Sequence, residues 1–105
     1  MRIYIAAPYT IGDVGVNVRN AIYAADALAN AGHHPFCPLL THLWHIVHPR
    51  TWEDWIRIDL AWLDVAEAVV RLPGASKGAD LEVMRASELG LPVHHGVAAF
   101  LKEIA

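Results

Sequence analysis

The sequence predicts an α/β domain in which a parallel sheet is covered by helices on both faces. Three observations carry that expectation. Four short apolar runs, 2–7, 33–39, 67–72 and 91–95, read as strands. Each is followed by a segment whose apolar residues recur at helical spacing. Glycine or proline punctuates most of the junctions between them. Strands alternating with helices in this way favour a parallel sheet, because each crossover returns the chain to the same edge of the sheet.

The elements follow in order. "RIYIAA" ends at Pro8 and reads as a buried first strand. "PYTIGDVGVNV" loosens at Gly12 and Gly15, and an alanine-rich helix runs from about Val16 to Ala31 and stops at Gly32. "HHPFCPL" lies between prolines, which suits a brief strand near an edge. "LLTHLWHIVHPR" is expected to be a loop with a short helical turn. "TWEDWIRIDLAWLDVA", 51–66, is a helix with Thr51 as N-cap and Glu53 and Asp54 in its first turn, where the helix dipole favours them. "EAVVRL" is a third strand, and "PGASKG" a loop into a helix over 77–89 that ends at Gly90. "LPVHH" is a fourth strand, and "GVAAFLKEIA" a closing helix. The order β-α-β-α-β-α-β-α is that of a small Rossmann- or flavodoxin-like three-layer sandwich with a four- to five-stranded parallel sheet. In such sheets ligands bind outside the carboxyl ends of the strands. The loops "PYTIGDVG", which carries Pro8 and Thr10, and "PGASKG" are therefore the places to look.

At 105 residues the chain reads as one domain, 1–105, with a modest core. It is 55% hydrophobic and only 18% charged, which points to surface hidden in partners of its own kind. The net charge of −3 and the lack of a lysine or arginine block argue against a nucleic-acid polymer as partner. The single cysteine, Cys37, excludes an internal disulfide, fits a reducing cytoplasm and reads as a small buried apolar residue. The apolar start is too short for a signal peptide or a membrane span, so a cytoplasmic protein without membrane contact is expected.

Two carboxylates stand in the wrong company. At about 100° per residue, Glu82 shares a helix face with Ala79, Val83, Ala86 and Leu89. Asp59 falls in the stripe of Trp52, Trp55, Ile56, Trp62 and Leu63, while Glu53, Arg57 and Asp64 lie on the other side. A buried carboxylate is costly unless it is paired, neutral or used. The ordinary readings are an Asp59 paired with Arg71 or a backbone amide, and a Glu82 exposed in the first turn. Two such groups bordering one crevice give shared chemistry comparable weight. Paired carboxyls suit glycosidic-bond cleavage, with one at the oxocarbenium-like carbon and one handling the leaving group's proton.

Ser76 and Lys77 stand where a loop enters a helix N-terminus, a position that favours an anion, although "GASKG" lacks the spacing of a full phosphate loop and a simple serine N-cap accounts for it alone. His42, His45 and His48 recur every third residue, but no acidic or cysteine ligand accompanies them at helical spacing. A pocket rim with His42 or His45 near substrate is expected rather than a metal site. Four tryptophans, Trp44, Trp52, Trp55 and Trp62, read as core and subunit interface. Leu81 and Met84 make the Glu82 helix apolar on a second side, which suggests cover by another subunit.

Taken together, "IYIAAPYT" and "WIRIDLAWLDVAEAVVRLPGASKGADLEVMRASELGLPV" resemble the opening and central block of the nucleoside 2-deoxyribosyltransferase-like superfamily, in particular its compact branch near the 2′-deoxynucleoside 5′-phosphate N-hydrolases. The resemblance covers most of the chain and is vaguest over residues 34 to 50. It implies Glu82 as the nucleophile at C1′ and Asp59 as the residue that contacts substrate and acts on the leaving base. It implies Tyr9 as the aromatic residue that orients the glutamate or packs on substrate, and Ser76 and Gly78 as part of a 5′-phosphate loop. Glu67 replaces the family's usual aspartate just inside the third strand. The carboxy-terminal asparagine that transferases supply from a neighbouring subunit has no counterpart, which favours a hydrolase.

The expectation is therefore an N-glycosidase acting on a (2′-deoxy)nucleoside 5′-monophosphate, with Glu82, Asp59 and Tyr9 in the chemistry. Pro8, Thr10, His42, Trp52, Ser76, Lys77 and Gly78 would bind substrate. No cofactor and no metal are expected, and the resemblance implies a homodimer or higher homo-oligomer with the site near the interface. A 2-deoxyribosyltransferase and a nucleotide-binding module without turnover are the alternatives.

Overall fold

Residues 1–104 are described by the structure, a computed structural model. Its centre is β1 (Arg2–Ala6), whose residues Ile3 to Ala6 are all buried. A strand apolar on both faces belongs inside a sheet, and β1 pairs in parallel on each side. Arg2, Ile3 and Tyr4 match His34, Pro35 and Phe36 of β2 (His34–Phe36). Ile3 to Ala6 match Ala68 to Arg71 of β3 (Ala68–Arg71). The sheet is completed by β4 (Val93–His94), in the order β2-β1-β3-β4, all parallel. Pro35 cannot donate a ladder hydrogen bond, and β2 accordingly takes an edge. The fourth strand spans only two residues of the five expected.

The helices are α1 (Val14–Asn30), α2 (His42–Val47), α3 (Trp52–Leu63), α4 (Lys77–Glu88) and α5 (Val97–Glu103). The alternation of β1 sorts two layers. Ile3 and Ile5 pack with Ala21, Ala24, Leu28, Val70 and Phe100 on the side of α1 and α5. Tyr4 and Ala6 pack with Leu63, Val69, Ala79 and Ala86 on the side of α3 and α4. Three side-chain caps set the helix starts: Asp13 accepts from the Val16 amide at 3.0 Å, Thr51 from Asp54 at 3.1 Å and Ser76 from Ala79 at 3.1 Å. Because Asp13 caps it, α1 begins two residues before the expected start. Residues 38–41 form a single 3-10 turn that leads into α2, so the uncertain stretch is helical for most of its length. The cysteine, Cys37, is buried as expected. The final residue of the predicted closing helix, 105, lies outside the described residues.

The chain leaves β1 toward β2 on one side and returns to β3 on the other. The carboxyl ends of β1 and β3 therefore flank the point where the winding direction reverses. Their two loops touch. Pro8 is buried, and a Cβ added to Gly74 would lie 2.8 Å from its Cγ. Gly74 also has φ +116°, a conformation that L side chains rarely adopt. Pro8 thus braces the second loop. Gly74→Ala should cost about 1–3 kcal/mol of unfolding free energy in urea titration, from strain and the clash with Pro8. A variant as stable as the parent would mean the loops are free to separate.

Candidate functional site

A cavity of about 430 Å³ opens at this switch point. The loop after β1 contributes Tyr9 and Thr10, α3 contributes Trp52, Trp55 and Asp59, and the start of α4 contributes Ser76, Lys77, Gly78 and Glu82.

At its base stands the Glu82 carboxyl. Glu82 is only 4% exposed and shares its buried helix face with Ala79 and Ala86. Leu89, expected on the same face, is the C-cap and is 37% exposed. The phenol of Tyr4 donates to Glu82 Oε2. Tyr4 is the one residue of β1 with a polar atom to satisfy in the core, and the pleat aims it at α4. Asp59 belongs to the same group from α3. Its Oδ1 is buried and has no hydrogen-bond partner among the described residues. The pairing with Arg71 or an amide that ordinary behaviour suggested is not formed. Arg71 instead donates to Leu72 O, Gly74 O and Asp80.

Burial dominates the electrostatics. It pushes the Asp59 carboxyl up to about 7. It also pushes Glu82 up to about 8, with the Tyr4 hydrogen bond and Arg71 pulling down and Asp59 pushing further up. Tyr4 is raised by burial and then by Glu82, so it stays a donor. Near neutral pH the pair Asp59–Glu82 therefore holds a proton that exposed carboxyls would have lost.

The mouth of the cavity is cationic and aromatic. Lys77 Nζ lies 4.8 Å from the centroid of the Trp52 ring, so one face of that indole is already covered. A Cβ on Gly78 would make ordinary contacts with Ile56 Cδ1 at 3.4 Å and Trp52 Nε1 at 3.8 Å. Arg50 lines the cavity and pairs with Asp54 at 3.2 Å.

The remaining wall comes from α2. His45 Nδ1 accepts from the Trp55 indole at 2.8 Å and from the Arg50 amide at 3.3 Å. Both contacts use Nδ1 as an acceptor. Trp44 meets Trp55 edge to face, at 4.9 Å between centroids. Among the described residues, no group of three histidine, cysteine, aspartate or glutamate side chains could hold a metal ion.

Most of the residues expected at the site line this cavity: Tyr9, Thr10, Trp52, Asp59, Ser76, Lys77, Gly78 and Glu82. Pro8 and His42 do not. His42 Nδ1 bonds the Tyr9 hydroxyl and stands behind it. That bond engages the Tyr9 hydroxyl while the residue still lines the cavity. Tyr9 is occupied with His42, and Tyr4 holds the glutamate. Sequence reasoning missed Tyr4 because it treated the whole first strand as core, although a lone tyrosine among aliphatic strand residues signals a buried hydroxyl in need of a partner. Trp55, Arg50 and Thr41 were also not assigned to the site, since only the fold brings the turn before α2, the chain entering α3 and α3 itself over the crevice.

Comparison with known proteins agrees on the fold. Among solved structures, the 2-deoxyribosyltransferase from the psychrotolerant bacterium Bacillus psychrosaccharolyticus is similar, with a TM-score of 0.66 and 20% identity over 90% of this chain and 70% of that chain. At that identity the likeness establishes a shared Rossmann-like α/β architecture. The family model described as Domain of unknown function (DUF4406) matches residues 1–95, and the chain belongs to that family. No curated protein matches the sequence.

The raised carboxyls give stability a pH signature. Both folded-state values lie above the unfolded ones of about 4. Their contribution is therefore complete below about pH 4 and is lost as pH rises through about 7 for Asp59 and about 8 for Glu82. Glu82→Gln keeps an acceptor for Tyr4 and cannot ionise. Its melting temperature relative to the parent should climb between pH 5 and pH 9, as read by thermal denaturation. A constant difference across that range would show that Glu82 ionises as an exposed carboxyl does.

Proposed function

We propose that the protein is an N-glycosidase of (2′-deoxy)nucleoside 5′-monophosphates. The observation that carries this reading is the pair of carboxyls, buried Glu82 held by Tyr4 and half-buried Asp59 with one buried, unpartnered oxygen, lining one cavity. The similarity to a 2-deoxyribosyltransferase fold supports it. Ionised Glu82 attacks C1′ as the bond from C1′ to the base nitrogen breaks. Protonated Asp59 delivers its proton to the leaving base. Water then attacks C1′ of the glycosyl ester, gives its proton to the Asp59 carboxylate and frees Glu82, with retention at C1′. Burial bears on both roles. It keeps a proton on the pair near neutral pH. With Glu82 raised to about 8 and Asp59 to about 7, that proton rests on Glu82 in the free protein, and it has to pass to Asp59 once substrate is bound for Glu82 to attack. Ser76, Gly78, Lys77 and the amides at the start of α4 would hold the 5′-phosphate.

Base release from a panel of ribo- and deoxyribonucleoside 5′-monophosphates, with the free nucleosides alongside, tests the reading. Monophosphates should release free base, and Glu82→Ala should lower the rate by at least about 10³-fold with the fold retained. Near-normal turnover by Glu82→Ala would remove Glu82 as nucleophile. If added adenine is built into a new nucleoside, a base rather than water takes the second step, and the protein is a transferase. Thermal stabilisation by a monophosphate without release of base would identify a binding module.

We further propose that the protein acts as a homo-oligomer. On α2 no residue is buried, and Leu43 and Val47 are 72% and 70% exposed beside the cavity wall. Trp62 and Met84 add apolar surface on α3 and α4. Sedimentation at micromolar concentration should return a dimer or larger species, and Val47→Glu should shift it toward monomer. A clean monomer from the parent chain would overturn this.

A further inference from the structure

We propose that Arg50 selects for a phosphorylated substrate, its guanidinium leaving Asp54 and closing on the phosphate of a bound nucleoside 5′-monophosphate from the α3 side of the mouth. The proposal rests on reading the cavity as a nucleotide site. Its ground is the way two arginines divide one carboxylate. Arg50 Nη2 lies 3.2 Å from Asp54 Oδ2, and Arg57 Nη2 lies 3.7 Å from the other oxygen, Oδ1. Asp54 also stands in the first turn of α3, where the helix dipole favours a negative charge. When Arg50 departs, Asp54 therefore keeps Arg57 and the dipole. Of the two cations, Arg50 is the one that lines the cavity, whereas the Arg57 side chain is 67% exposed.

The main chain at Arg50 is held while its side chain is not. The Arg50 amide donates to His45 Nδ1 at 3.3 Å, and the next residue, Thr51, caps α3. The guanidinium has its ion pair with Asp54, and both side chains are more than a third exposed. A pair in such contact with water is weak, because solvent and salt screen both partners. A phosphate monoester carries more charge than a carboxylate and presents several oxygens to the planar fork, so it competes successfully for Arg50. Lys77 brings a second positive charge to the cavity from α4. The acids that line the cavity do little to cancel these charges, since burial opposes the ionisation of both Asp59 and Glu82. A neutral nucleoside offers Arg50 nothing, and the guanidinium then stays on Asp54.

The test is calorimetric titration with the 5′-monophosphates of deoxyadenosine and deoxyuridine and with the two free nucleosides. It is run in Glu82→Gln protein so that no ligand is consumed. Adding Arg50→Gln should weaken the monophosphates at least about 10-fold and leave the nucleosides within about twofold. Adding Asp54→Asn frees Arg50 from its resting partner and should tighten the monophosphates about threefold, the strength of an exposed ion pair. Glu53→Gln removes the same charge from the same turn without touching the Arg50 pair, and should have a smaller effect than Asp54→Asn. Monophosphates bound no better than nucleosides before Arg50 is changed, or an equal effect of Arg50→Gln on both ligands, overturns the proposal. Asp54→Asn binding no tighter than Glu53→Gln overturns the exchange. Base release by protein with Glu82 intact separates the proposal from the reading beneath it. Binding through Arg50 with no base released keeps the Arg50 role and removes the glycosidase. Base release with an unchanged monophosphate-to-nucleoside ratio of kcat/KM in Arg50→Gln keeps the glycosidase and removes the Arg50 role.

Discussion

The site depends on one hydrogen bond across two layers of the fold, from the Tyr4 phenol on the central strand to the Glu82 carboxyl on α4. A carboxyl with so little exposure would be strongly disfavoured without a partner. The partner cannot be a loop residue or a water-facing side chain, because Ala79 and Ala86 seat this face of α4 directly on the sheet. It has to come from the sheet itself. The pleat of β1 allows this only at Tyr4 or Ala6, and the longer of the two reaches. The small alanines of α4 are part of the same arrangement, since they bring the helix close enough for the phenol to span the gap.

The other features of the cavity follow from that constraint. Asp59 approaches the same centre from α3 and raises the cost of ionising Glu82, while Arg71 approaches from β3 and lowers it. One proton shared among groups of unlike environment is the arrangement that lets one carboxyl act as acid while its neighbour acts as base or nucleophile. The polar mouth is separate from this apolar base. Ser76, Lys77 and Arg50 face the opening, where charge is solvated and can exchange between partners.

The fold was legible in the sequence wherever local chemistry and long-range packing agree. Thr51 and Ser76 cap the helices they were expected to cap. The parallel sheet follows from strands that alternate with helices. The two carboxylates could be picked out because each interrupts an apolar helical stripe. Legibility failed where a residue's role is decided by what the fold brings across from elsewhere. Nothing local distinguishes Tyr9, bonded to His42, from Tyr4, bonded to Glu82. Pro8 meets Gly74, 66 positions along the chain, only because both loops leave neighbouring strands. The limits of β4 were overestimated for a related reason, since an edge strand extends only as far as its single neighbour pairs with it.

The wall formed by α2 is built differently from the rest. The sheet and its flanking helices are tied into two apolar clusters, whereas α2 contributes no buried residue to either. It is held to the site by the Tyr9–His42 and Trp55–His45 hydrogen bonds and by the edge contact of Trp44 on Trp55. Segments with so little of the core open at a small fraction of the free energy of global unfolding. Access to the cavity is therefore uncoupled from the integrity of the sheet. Displacing that wall would break the contacts of α2 alone and leave the two apolar clusters and the Tyr4–Glu82 bond in place.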